Sequence, residues 1–291
     1  MTNPLRRRLA AVAELRAADA SRIRFQQELV AAMDNEELVL HYQPVMRLDD
    51  ESVAGFEALI RWQHPQKGLV PPGDFIPLAE ATALIVPLGR WVLRTAIAAL
   101  AHVDATRAKA RQPGPAPFMT LNVSGRQFSD PQLVPILQAA LAEHRIEASR
   151  IHLEITESSL VDTLDDAVAL MRRCTDLGVR LLVDDFGTGY SSLSYLYRLP
   201  VTGLKLPRPF IQDLEAYPES GKIVGAVTRL ARDLRLDVIA EGIETAAQAS
   251  QVRALGIGYG QGFHYAQGMP LIIARSFRHT PSAPLVTSAA V

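Results

Sequence analysis

Eight polar residues stand at or beside the ends of apolar runs, and their types define a narrow chemistry: Glu57, Asn122, Glu154, Asp184, Asp185, Lys205, Glu241 and Gln261. Two carboxylates ~4 Å apart repel by roughly 4 kcal/mol at an effective dielectric of 20, so several share one pocket only if cations join them. A donor set of oxygens, without cysteine or clustered histidine, selects hard ions, Mg²⁺ or Mn²⁺, over zinc. Two such ions ~3.5 to 4 Å apart clamp a phosphodiester and lower the pKa of a bound water from ~16 toward ~7. Phosphoryl hydrolysis is the reaction that suits this inventory.

The densest stretch is Arg180 to Leu193, RLLVDDFGTGYSSL. Leu181-Leu182-Val183 reads as a buried parallel strand that ends in Asp184-Asp185. Adjacent side chains on a strand point to opposite faces, so one carboxylate is expected to look into the sheet's end and the other across it. Gly187 and Gly189 permit φ > 0 and leave amides that a phosphate or a moving loop can use. In VAGFEALIRW, the period of 2 puts Glu57, Leu59 and Arg61 on one face and Phe56, Ala58 and Ile60 on the other, where helices would cover them. A buried Glu–Arg pair gains little over apolar residues, so a charged face aimed at a ligand is the better reading.

The elements that must position these groups alternate. LVLHYQPVMRL opens the series, with Tyr42-Gln43-Pro44 at the strand's end, and VAGFEALIRW follows after the acidic turn Asp49-Asp50-Glu51. MTLNVS ends at Asn122, with Ser124 as an N-cap for the next turn. IHLEITES carries Glu154 and Glu157 on its way out, GLKLP carries Lys205, DVIAEGIET carries Glu241 and Glu244, and GYGQGFHY carries Gln261. With the Asp184 strand these make eight, and helical patterns separate most of them, including Asp162–Leu177 and about Gly221–Leu234. Such alternation predicts an α/β fold, a TIM-like (β/α)8 barrel with its site at the C-terminal strand ends. The missing helix between the first two strands predicts an irregular start with one antiparallel strand.

Three segments are expected along the chain: an N-terminal helical segment or linker over 1–33, the barrel over 34–276, and an Ala/Ser/Pro-rich disordered tail over 277–291. A length of 291 residues, 48% of them hydrophobic, suffices for one large core. The net charge of −1 gives no electrostatic case for duplex nucleic acid or an anionic membrane. A single cysteine, Cys174, excludes an internal disulfide and fits better as filling a helix face than as a reactive group. No apolar run approaches the ~20 residues of a membrane span, and Glu14 and Arg16 interrupt what would be a signal peptide, so the expectation is a cytoplasmic protein or a cytoplasmic piece of a larger one.

Linked motifs at sensible spacings carry a resemblance. They are Glu57-Ala58-Leu59-Ile60-Arg61-Trp62, His64-Pro65, Phe75 to Glu80, Asn122-Val123-Ser124, Leu153 to Glu157, Asp184 to Tyr190 and Ala240 to Thr245. From about residue 24 to 272 the chain resembles the EAL family of cyclic di-GMP phosphodiesterases. The resemblance implies hydrolysis of cyclic di-GMP to linear pGpG with two Mg²⁺ or Mn²⁺ ions and a homodimer, while the N-terminal helix, read from its own periodicity, either caps the barrel floor or connects to an upstream signalling domain or partner. The resemblance further implies that Glu57, Asn122, Glu154 and Asp184 hold the first ion, that Asp184 bridges to a second helped by Asp185, that Lys205 orients the attacking water, and that Glu241 is general base or second-ion ligand. Gln43, Leu59, Arg61 and Gln261 would seat the ligand, Arg61 by gripping phosphate with its planar fork. Glu157 would brace the loop of Phe186, Gly187, Thr188, Gly189 and Tyr190, which in that family links the site to a dimer partner.

The chain also departs from the family pattern. Pro207 replaces a carboxylate two residues after Lys205, Gly258 stands where Asp is common, and Gln267-Gly268 replaces an Arg-Pro-like ending. Proline supplies neither ligand nor backbone donor, so an alternative is a catalytically weak or inactive receptor that binds the dinucleotide without cutting it. A barrel lyase with a Schiff-base lysine is disfavoured, because the acids around Lys205 oppose a lowered lysine pKa.

Overall fold

The computed structural model describes residues 22–161, 164–188, 196 and 198–279. Gly189, Tyr190, the chain before residue 22 and the tail beyond 279 lie outside the described residues. Backbone packing divides the chain into two units, residues up to 39 with 60–89, and residues 40–59 with those from 90 onward.

The second unit contains the barrel. Strands β2 (Val53–His64), β4 (Phe118–Asn122), β5 (Ile151–Thr156), β6 (Arg180–Asp184), β7 (Gly203–Leu206), β8 (Asp237–Ala240) and β9 (Tyr259–Gly260) are successive parallel neighbours. Strand β1 (Leu38–Arg47) runs antiparallel to β9 and also pairs with β2, which closes eight strands into a mixed TIM-like barrel. The expected irregular start is this strand. Its connection to β2 is a tight turn in which Arg47 N–H donates to Ser52 O and the Asp49 and Asp50 carboxylates accept from the backbone of Asp50 and Ser52, too short for a crossover helix. Two short strands add to the barrel's sheet: β3 (Gly68–Val70) antiparallel to β2, and β10 (Met269–Pro270) antiparallel to β1.

Helices α3 (Ile85–Lys109), α4 (Leu133–His144), α6 (Leu164–Asp176), α7 (Arg208–Ala216), α8 (Pro218–Asp233) and α9 (Ala246–Ala254) intervene between the strands, with a short α5 (Glu157–Val161) after β5. The β-branched and leucine positions that alternate along the strands divide the packing. Met119, Leu121, Leu153, Ile155, Leu181, Val183, Leu204 and Leu206 point outward and are at most 2% exposed. Each such side chain contributes about 1.5–3 kcal/mol of burial. Inside the barrel, Val45, Leu182 and Ile239 form a dry cluster with Phe118 and Tyr259 against it. Below that cluster Phe118 stacks on His152 at 4.3 Å, Arg47 lies over Tyr259, and Arg180 pairs with Asp237. The barrel is therefore filled rather than hollow, with polar side chains on both sides of the apolar layer and the acids gathered on the far side from Arg180 and Asp237.

In the first unit, residues 22–34 form helix α1, and α2 (Pro72–Ala81) follows β3. Trp62 organises it: fully buried, it donates Nε1–H to Glu37 Oε2 at 2.9 Å and packs on Phe25, His64 and Phe75. Among the described residues no helix is long and apolar enough to cross a membrane.

Candidate active site

Parallel register explains why the polar groups meet. Glu57 pairs across to Thr120, Asn122 to Glu154, Thr156 to Asp184 and Lys205 to Ile239, so alternate residues of neighbouring strands share the interior face in successive layers. The layer above Val45, Leu182 and Ile239 is the polar one.

Lys205 lies at its centre. Only 1% exposed, it sets Nζ 2.6 Å from Glu241 Oε1, 2.8 Å from Glu154 Oε2, 3.5 Å from Asp184 Oδ1 and 3.7 Å from Glu57 Oε2. A second tier of amides ties the acids together. Asn122 Nδ2–H donates to Glu57 Oε1 at 2.8 Å, while the Gln261 amide donates to Glu57 Oε2 at 2.7 Å and Glu241 Oε1 at 3.0 Å. The structure buries Lys205 because residue 205 is inward-facing on a strand whose Leu204 and Leu206 point out.

The buried acids differ in protonation because their partners differ. Burial opposes an ammonium at Lys205, but the four surrounding carboxylates, Glu154 foremost, outweigh it and hold its pKa well above the usual lysine range. Burial pushes the Glu154 carboxyl far up, with Lys205 opposing. Glu57 feels the same burial, yet Lys205 and the Gln261 and Asn122 amides overcome it and hold its carboxyl down. Glu241 is pushed up to about 7, chiefly by burial against the attraction of Lys205. Asp185 is raised by burial and by the neighbouring Asp184.

The two adjacent aspartates depart from the strand expectation. Strand β6 ends at Asp184, and Asp185 takes a left-handed backbone with φ 53°, its N–H donating to Asp184 Oδ1 at 2.9 Å. Both carboxylates therefore turn to the same side. Asp184, Asp185 and Glu241 each offer an oxygen, all within 4.8 Å of one another. Beyond this point the loop is held by Phe186 N–H donating to Lys205 O and Gly187 N–H donating to Glu157 Oε2 at 2.9 Å. Glu157 itself opens α5 rather than ending β5. Thr188 Oγ1–H donates back to Asp185 O.

Other expected residues sit apart from the lysine-centred network. Gln43 on β1 donates Nε2–H to Ala266 O at 3.1 Å. Leu59 is half-buried, two residues beyond Glu57 on the same face. Arg61 belongs to the first unit, where Nη1 donates to Ile60 O. Ser124 does not cap by its hydroxyl: its backbone N–H donates to Gln127 Oε1, and a 3₁₀ turn starts later, at Gln127. Thr120, buried beneath Asn122 with an unpartnered Oγ1, was not singled out from the sequence, although its place two residues before Asn122 on one strand was the available signal.

The donor set fits a hard divalent ion. Glu154 Oε1 and Gln261 Oε1 are buried without hydrogen-bond partners, and a buried oxygen with no donor is costly unless a cation satisfies it. Among the described residues Asp184, Asp185 and Glu241 are the acids close enough together to hold it, while Glu57 and Glu154 are gathered with Asp184 on Lys205 and Asn122 turns its amide N–H to Glu57.

A family model described as the EAL domain matches residues 26–268. The chain belongs to the EAL domain family of cyclic di-GMP phosphodiesterases. It is 41% identical over 243 residues to the cyclic di-GMP phosphodiesterase PdeR of Escherichia coli K12, covering 83% of this chain and 35% of that protein. It is equally 41% identical over 244 residues to the bifunctional diguanylate cyclase/cyclic di-GMP phosphodiesterase MucR of Pseudomonas aeruginosa, again with 35% of that protein covered. The chain thus spans about a third of the length of these curated relatives. Among solved structures, the PaMucR phosphodiesterase in complex with c-di-GMP is similar with TM-score 0.76 and 40% identity, over 85% of this chain and 98% of that one. The EAL enzyme Bd1971 in its cAMP-bound form gives TM-score 0.82 at 31% identity, over 93% and 74%. In this EAL domain the glutamate of the family's name is Glu57, the residue that the amides of Asn122 and Gln261 hold in place.

Proposed function

We propose that this EAL domain hydrolyses one phosphodiester of cyclic di-GMP, giving linear pGpG, with Mg²⁺ or Mn²⁺. The observation that carries the reading is the convergence of Glu57, Glu154, Asp184 and Glu241 on one buried ammonium at the strand ends, with the Glu154 Oε1 lone pairs unclaimed.

Glu57, Asn122, Glu154 and Asp184 would hold one ion, and Asp184 and Asp185 a second, which leaves Glu241 free to act as base. Such ions supply Lewis-acid charge at phosphoryl oxygens and acidify a coordinated water. The chain's own groups do the rest. Glu241, whose carboxyl is pushed up to about 7, suits a proton acceptor at neutral pH and would take the proton of the attacking water. The Lys205 ammonium would orient that water. As its oxygen bonds to phosphorus, the P–O bond to the ribose leaving oxygen breaks, and that oxygen takes up a proton. Gln43, Leu59, Arg61 and Gln261 would seat the nucleotide, and the apolar layer below closes the site to bulk water from that side. The reading carries with it a cytoplasmic site of action, a homodimer joined through the loop that Glu157 braces, and an upstream partner acting through α1.

Purified protein with Mn²⁺ and cyclic di-GMP, followed by chromatography of the products, tests the proposal. Appearance of pGpG supports it; intact substrate at protein excess, from protein whose circular dichroism remains native, removes it. One observation favours a second reading. Pro207, buried at the exit of β7, ends that strand with a residue that offers no carboxylate and no N–H. A receptor that binds without cutting would show calorimetric binding of cyclic di-GMP in Ca²⁺ while leaving it intact in Mn²⁺.

A further inference from the structure

We infer that Lys205 is the built-in counter-ion of this site, holding the acids together when no divalent ion is bound and competing with such ions for the same oxygens. The inference deepens the proposed metal-dependent reading and rests on it for the identity of the competing ligand.

Lys205 is among the largest fully buried side chains of the protein, and its neighbours on the strand, Leu204 and Leu206, are at most 1% exposed. A lone buried ammonium in such a layer is untenable without compensation. Here the compensation is fourfold, with Nζ within 3.7 Å of Glu241, Glu154, Asp184 and Glu57. These acids reach both halves of the donor set: Glu57 and Glu154 belong to one and Asp184 to both, with Glu241 beside the second. The ammonium therefore sits at the seam where two cations would otherwise be needed, and it touches oxygens they would claim. Carboxylates this close repel strongly in a low-dielectric interior. Without Lys205 and without metal, nothing described in the layer carries positive charge toward them; the amides of Asn122 and Gln261 contribute only dipoles. A lysine that served solely to orient water would need one partner and an open side. This one has four partners and no exposed side.

The test uses the full chain and compares melting in chelator with Mn²⁺ titration by calorimetry, for the parent, Lys205→Met, Glu154→Gln and the double variant. Lys205→Met is expected to melt roughly 6 °C or more below the parent in EDTA, as stranding a buried charge cluster does, and to bind Mn²⁺ roughly tenfold or more tightly, with the melting deficit closed by saturating Mn²⁺. Glu154→Gln is expected to lower the EDTA melting temperature in the parent and to raise it in the Lys205→Met background, since the neutralised acid then relieves repulsion instead of stranding a cation. Equal melting of parent and Lys205→Met in EDTA, unchanged or weaker Mn²⁺ affinity, or the same sign for Glu154→Gln in both backgrounds would overturn the inference. If Lys205→Met does not fold in EDTA, the double variant decides: folding there supports the counter-ion role, and failure overturns it. Hydrolysis by the parent is scored separately. Its loss with intact stability effects would remove the phosphodiesterase reading and leave the counter-ion, while hydrolysis without those effects would do the reverse.

Discussion

Pro207 stands two residues beyond Lys205 and immediately before α7, whose N-cap it is, with no side chain to accept the first helical amides. Phe210 N–H now donates to Pro207 O at 3.1 Å, and Pro209 has no N–H to offer. An aspartate at 207 would cap Phe210 and add a carboxylate at the rim. Under the proposed function, Pro207→Asp is expected to raise Mn²⁺-dependent hydrolysis at least about threefold, roughly 0.7 kcal/mol in barrier terms, measured as initial rates at saturating substrate; an equal or lower rate would mean that the rim is already complete. Its melting temperature should stay within about 3 °C of the parent, because the gained cap and the lost chain rigidity oppose one another. Glu57 gives the opposite expectation. Glu57→Ala removes an acid that two amides and Lys205 converge on, so hydrolysis should fall roughly a hundredfold or more. Melting in chelator should fall as well, since Lys205 then loses one of the four acids that compensate it. Surviving activity would show that the donor set is wrongly assigned.

At the level of elements, the loop that leaves β6 shows what a backbone requirement does to a sequence. Gly187 has φ 92°, and a Cβ there would come within 3.0 Å of the Phe210 ring. Gly187→Ala should cost about 1–2 kcal/mol, since left-handed backbone penalises an L side chain, a loss read from urea midpoints at constant slope; an unchanged midpoint would show that the loop relaxes freely. Strand alternation was legible because its period is two and the outward residues are uniformly apolar, which is why Asn122, Glu154, Lys205 and Glu241 could be placed near strand ends from the residue order, whereas Glu57 lies inside the long β2. Alternation failed at Asp185, where the strand had already ended and a positive φ turned the carboxylate back. Helix α7 was hidden as well. Pro207 and Pro209 look like breakers, whereas proline is at home in the first turn of a helix, and the same reason moved the start of α8 back to Pro218. The fourfold environment of Lys205 could not be read from order alone, because it depends on four strands whose registers are set by packing.

For the molecule as a whole, the barrel floor contributes to acid sensitivity through His152. His152, stacked on Phe118 in the interior, has its pKa lowered to about 3, chiefly by burial and then by Arg180. The folded state keeps this ring neutral while the unfolded chain protonates it near 6.5. Its contribution to stability is full above pH 6.5 and is lost progressively as the pH falls toward 3. At pH 5 the loss from this one group is about 2 kcal/mol. His152→Leu should therefore lose less stability than the parent between pH 7 and 5 in urea melts, and equal losses would place the acid sensitivity elsewhere. The floor also closes the barrel: aromatic and ion-paired side chains fill the end opposite the acids, so the cluster of carboxylates lies on the other side of the apolar layer. A different consequence follows from Cys174. It is the chain's one thiol, fully buried on α6, with its pKa pushed up to about 12 by that burial. Any alkylating dye that reacts with the protein must wait for the structure around α6 to part, so the labelling half-life is a clock, already wound into the wild-type chain, for how often that side of the barrel opens.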